Sequence, residues 1–125
     1  MTEAHRAPPD EAHLLHLHVR EALAHLVKAA LVSDDAHADA WEKQAAVHLQ
    51  RARIVQAAGG QAHLNMDGIW YQAVGDAEAD TVVRQTETAN PVLAQRCPFP
   101  LDELLSPSFN PVTATDRIRE NSASG

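Results

Sequence analysis

Large aromatic rings are scarce in this chain: two Trp, one Tyr and two Phe stand among 125 residues, so a core must come mainly from Ala, Leu and Val. One cysteine, Cys97, excludes an internal disulfide and fits a reducing compartment. Apolar runs are short, none approaching the ~20 residues needed to cross a bilayer. The opening MTEAHRAPPDEAH has no basic-then-apolar pattern of a secretory signal. The expectation is a soluble, cytoplasmic protein without a membrane partner. Positive charge is also short: 10 Lys and Arg face 17 Asp and Glu, for a net charge of −7. Binding to nucleic acid or to an anionic lipid surface therefore lacks its usual electrostatic footprint.

What is present is helical. Gly and Pro fall at a few boundaries, as helix punctuation does. A chain of this size is one domain, able to bury roughly two-thirds of its unfolded surface without staples. Pro8, Pro9 and Asp10 mark the start of a first helix over about 10–32. Its residues Leu15, Val19, Ala22, Leu23, Leu26 and Ala30 repeat in steps of three and four along one face. Ser33, Asp34 and Asp35 end it and cap a second helix over about 36–58. There the inner stripe reads His37, Trp41, Gln44/Ala45, His48, Ala52 and Val55, and Gly59-Gly60 supplies the stop. So short a connection predicts an antiparallel hairpin.

A third helix is expected over about 61–86, with Met66, Ile69, Trp70, Ala73, Val74, Ala77 and Thr81 on its stripe. Gly68 and Gly75 each cost about 1 kcal/mol relative to Ala there, and so mark either a close contact or a bend or break. Lys43, Arg51 and Arg53, and the acidic run Asp76, Glu78 and Asp80, read as solvated helix faces. The segment CPFPLDELLSPSFNP, from Cys97 to Pro111, is a short helix with two written ends. Pro100 suits a helix start, Asp102 and Glu103 suit its positive pole, and Pro107 stops it. Too short to stand alone in water, it must dock. Its latch is Cys97, Phe99, Leu101, Leu104, Leu105 and Phe109. Residues 1–111 then form a single helical bundle domain and 112–125, rich in Ser, Thr and Asn, a flexible tail.

Three signatures recur in order: Leu23-Ala24-His25-Leu26-Val27-Lys28, Ala40-Trp41 leading to Gln50-Arg51, and Cys97 through Leu105 with Phe109-Asn110-Pro111 closing. Over roughly 14–111 the chain resembles the bacterial domain-of-unknown-function family twenty-nine, an all-helical group. The resemblance implies a fold and lends no activity. It also implies that the family's usual N-terminal helical region is missing, which would leave an apolar surface bare. Bare apolar surface of that kind marks partner sites. Self-association through the first helix is therefore expected, with Leu15, Val19, Leu23, Leu26 and Tyr71 at the interface.

Histidine is the one chemical surplus: eight residues, all between His5 and His63. Imidazole suits transition metals. His13 and His16 stand i, i+3, and hairpin pairing brings His48 toward the turn holding His16 and Arg20. His13, His16, His18 and His48 are thus the candidate ligands of a metal such as zinc or iron. Against this stand the lack of a His-Glu-x-x-His run, of a Cys pair and of Glu-x-x-His repeats, and the nearby Arg20 charge. His25, with Glu21 at i−4, reads as a helix-surface pair before it reads as a base. His48, on an apolar seam, reads as a core residue kept neutral by burial. Cys97, flanked by Pro98 and Pro100, reads as packing before it reads as a nucleophile.

The expected architecture is all-α: an antiparallel hairpin, a third packed helix and a short docked C-terminal helix. The leading functional expectation is a non-enzymatic interaction module without cofactor, assembling as a homodimer or with another helical protein. A His-lined metal-binding bundle is the alternative, and hydrolysis by a Cys97–His pair ranks below both.

Overall fold

The computed structural model describes residues 7–32, 35–58, 64–86 and 93–121. Ser33, Asp34, the Gly59-Gly60 stop, His5, His63 and residues 122–125 lie outside the described residues. The described helices are α1 (Ala7–Leu31), α2 (Asp35–Ala57), α3 (Met66–Glu78), α4 (Thr81–Thr86), α5 (Leu101–Leu104) and α6 (Pro111–Asn121). The fold is the expected all-α one. None of these helices is long and apolar enough to cross a membrane.

The centre of the molecule is α1. Ala22, Leu23, Ala24, Leu26, Val27 and Ala29 are all buried, which no single helix face can hold. α2, α3 and α6 all pack against it. The α1–α2 pair is antiparallel, since Lys28 of α1 lies over the Trp41 ring while His18, further back, meets His48, further on. α2 buries Ala38, Ala45, Leu49 and Ala52, and the three alanines allow close approach. His37, expected on this stripe, is exposed, because the buried row begins one position later at Ala38.

The expected third helix is two helices. It starts at Met66, where the Asn65 side chain accepts from Gly68 N–H at 3.0 Å. A Cβ at Gly68 would come within 2.9 Å of that same Asn65 side chain, so glycine makes room for the cap. Gly75 has open space around it and causes no break. The break falls at Ala79–Asp80, where Asp80 Oδ1 accepts from Val83 N–H at 3.3 Å and caps α4. Trp70, 1% exposed, anchors α3 and donates its Nε1–H to Ala94 O at 2.7 Å.

The latch segment packs as expected. Phe99 and Phe109 meet edge to face, with centroids 5.5 Å apart. Phe99, Leu104 and Leu105 are buried, and Cys97, Leu101 and Phe109 are half-buried against the same core. Asp67 of α3 accepts from Cys97 N–H at 3.0 Å. Arg53, expected to be solvated, reaches from α2 to donate to the carbonyls of Leu105 (3.0 Å) and Ser106 (2.9 Å) at the end of α5.

Two expectations are corrected here. The tail expected at 112–125 is helical from Pro111 to Asn121 and docks on α1 and α2. Ala114, Thr115 and Ile118 are its buried row, and buried Thr115 bonds back to Pro111 O at 3.0 Å. Arg119 donates to Ala29 O (3.0 Å) and Ala30 O (3.2 Å), satisfying carbonyls that the end of α1 leaves unpaired. The second correction concerns the bare face. Leu15, Val19, Leu23 and Leu26 are 0% exposed, because α2, α3 and α6 already enclose α1. They are core residues and present no surface to a partner.

Candidate metal centre

On α1, the steps 18 to 21 to 25 follow helical spacing, so His18, Glu21 and His25 lie on one stripe. That stripe borders the buried face and looks toward α2, whose His48 sits beside buried Leu49. Glu21, His25 and His48 converge, and His18 meets the group through His48. His18 Nδ1 and His48 Nδ1 are 3.2 Å apart. The His25 and His48 rings stack, with centroids 5.6 Å apart and planes 21° from parallel. His25 Nε2 lies 3.9 Å from Glu21 Oε1. One potential ligand atom each from Glu21, His25 and His48 falls within 4.8 Å of the other two, and all three residues are half-buried.

The electrostatics favour neutral imidazoles. Burial is the largest force lowering the pKa of His18, of His25 and of His48. His48 and Arg51 push His18 further down, Lys28 and His48 do so for His25, and Glu21 opposes the shift in all three. The His18–His48 contact agrees with this, since a bond between two Nδ1 atoms needs one to carry a proton and the other to offer a lone pair. His25 Nδ1 is buried and meets no hydrogen-bond partner. Neutral rings are ligands; imidazolium ions are not.

The nearby cations are held by carboxylates. Arg20 forms a two-pronged pair with Asp76 of α3, at 2.8 and 2.9 Å, and Lys28 reaches Asp80 at 3.3 Å. Asp76 and Asp80, expected to be solvated, instead tie α3 and its end to α1. Arg51 is exposed to solvent, where screening weakens its reach.

Of the four histidines expected as ligands, the structure brings together His18 and His48 only. His16 lies two positions from His18, about 200° around the helix, and so faces elsewhere. Its Nε2 meets Gln72 Oε1 of α3 at 3.3 Å, beside a cavity of about 200 Å³. His13, one turn before His16, is exposed. Their places are taken by Glu21 and His25, which spacing along α1 could have nominated. Tyr71 is 80% exposed on α3, the one expected interface residue that does face outward.

Cys97 does not join the histidines. Its Sγ donates to Phe99 O at 3.3 Å, and burial pushes its thiol up to about 11. A thiol held protonated is a poor nucleophile, as the latch reading requires. No protein-family model matches this chain, and no match is found among curated proteins or among solved structures.

Proposed function

We propose that this chain is a helical module that binds one divalent transition-metal ion at the α1–α2 seam, through Glu21, His25 and His48. The observation that carries the reading is their convergence to within 4.8 Å, two ligands from one helix and one from the next. A borderline ion such as zinc takes both imidazole nitrogen and carboxylate oxygen. The carboxylate offsets part of the ion's charge, and the neutral rings need lose no proton to bind.

The position of the site sets its role. It joins the long helices of the hairpin, so binding free energy adds to the stability of the folded pair. The ion acts as a clip between α1 and α2.

Elemental analysis of protein purified without an affinity tag and dialysed against zinc tests this. One zinc per chain should persist in the wild type and fall to a small fraction in His25→Ala and in His48→Ala. His13→Ala should retain it. Equal zinc in all four proteins, or none in the wild type, would overturn the reading.

A further inference from the structure

We infer that His18 is a positioning residue of this site: it accepts a hydrogen bond from His48 Nδ1–H and so leaves His48 Nε2 to hold the ion. The inference rests on the metal-binding reading above and names the residue that orients its α2 ligand. His18 stands outside the three residues whose ligand atoms converge. Its Nδ1 lies 3.2 Å from His48 Nδ1, so the two nitrogens address each other across the seam. Two bare lone pairs would repel at that distance and two N–H groups would collide, so one nitrogen carries the hydrogen. A neutral imidazole has one N–H and one lone pair, on different nitrogens. When His48 gives its lone pair to an ion at Nε2, its hydrogen sits on Nδ1, and His18 Nδ1 is the acceptor.

A metal-bound histidine commonly gives its other ring N–H to a neighbouring acceptor, which fixes both its tautomer and the aim of its ring. The His18–His48 pair has that form. With the ring centroids 5.4 Å apart, the 3.2 Å contact is made by nitrogens pointing at each other and not by stacked faces. His48 Nδ1 is thereby spent on His18, and Nε2 is the nitrogen left to bind. His25, the other imidazole of the site, has no comparable support, since its Nδ1 is buried and meets no hydrogen-bond partner. Placement agrees: His18 stands one turn before Glu21, and Glu21 one turn before His25, on one stripe of α1. The helix that carries two ligands thus also carries the group that aims the third.

Nitrogen NMR of the zinc-loaded wild type, labelled at histidine, reads the tautomer directly. His48 should show a zinc-bound Nε2 and a protonated Nδ1. Two variants then separate the acceptor from mere packing. His18→Asn sets an oxygen acceptor close to where Nδ1 stands, and His18→Leu sets a methyl group there; circular dichroism checks the helices of both. Zinc affinity, by competition with a chromogenic chelator, should fall about 10- to 100-fold in His18→Leu. His18→Asn should recover most of that loss. Zinc on His48 Nδ1 would overturn the inference, and this spectrum decides it even where a variant fails to fold. Wild-type affinity in His18→Leu, or an equal loss in both folded variants, would overturn it too, with the metal reading left standing. Absence of zinc binding in the wild type would overturn the metal reading and this inference with it.

Discussion

His18 and His48 bring their Nδ1 atoms to 3.2 Å across the α1–α2 seam, an arrangement that only one proton can occupy. His25 stacks on the His48 ring. All three have pKa values lowered by burial from the ordinary value near 6.5. The charged groups facing them are Glu21, Lys28, Asp80 and Arg51. Between the lowered folded values and 6.5 the unfolded chain binds more protons than the folded one, so stability rises with pH through this window. The metal-free protein is thus most stable above about pH 7 and loses stability as pH falls through 6.5 and below. Urea midpoints from pH 8 to pH 5 should decline, and His48→Ala should flatten the decline. An equal slope in the variant would contradict the assignment.

Leu23, 0% exposed at the centre of α1, belongs to the core and not to an interface. Leu23→Ala should cost about 2–5 kcal/mol of stability, the range for a leucine truncated inside a packed core. Size-exclusion elution of the folded variant should match the wild type. A change in oligomeric size without a change in urea midpoint would return Leu23 to an interface role.

Arg119 ties α6 to the end of α1 through the carbonyls of Ala29 and Ala30. Its removal leaves those carbonyls short of a charged donor, worth about 1–3 kcal/mol. Arg119→Ala should lower the thermal midpoint. Arg119→Lys should recover only part of it, since an ammonium lacks the planar fork that reaches two carbonyls together. Full recovery by lysine would show that charge alone matters.

Cys97 carries a thiol pushed up to about 11 by burial. At pH 8 it should react with an aromatic disulfide reagent far more slowly in the native protein than in urea, where a free thiol near 8.5 is expected. Comparable rates in both states would mean that the latch opens readily.

The helices were legible where apolar residues repeat at helical spacing, as from Leu15 to Leu26 and from Ile69 to Ala77. α6 was not, because its one short apolar row is flanked by Thr, Asp, Arg and Asn that look like a tail. Its arginines reach distant carbonyls and Glu103, and sequence spacing says nothing of such partners. Gly68 was legible as special, but its reason, the Asn65 cap, belongs to the folded turn. In the site, His18 and His48 were legible as imidazole candidates. Equal counting from the connection at 33–34 sets His48 opposite Val19, which is close to its true level between His18 and His25. Which face of α1 meets α2 is the missing datum. It depends on how α3 and α6 share the other faces, so crowding in sequence pointed wrongly to His13 and His16.

The central claim is one divalent ion held at the α1–α2 seam by Glu21, His25 and His48. Isothermal titration of zinc into metal-free wild type, beside the double variant His25→Ala/His48→Ala, tests it most directly. The account predicts one binding event per chain in the wild type and none of comparable affinity in the double variant. It also predicts a wild-type gain of about 2.7 kcal/mol in stability at free zinc one hundred times the dissociation constant. Zinc binding of equal stoichiometry and affinity in both proteins would contradict it.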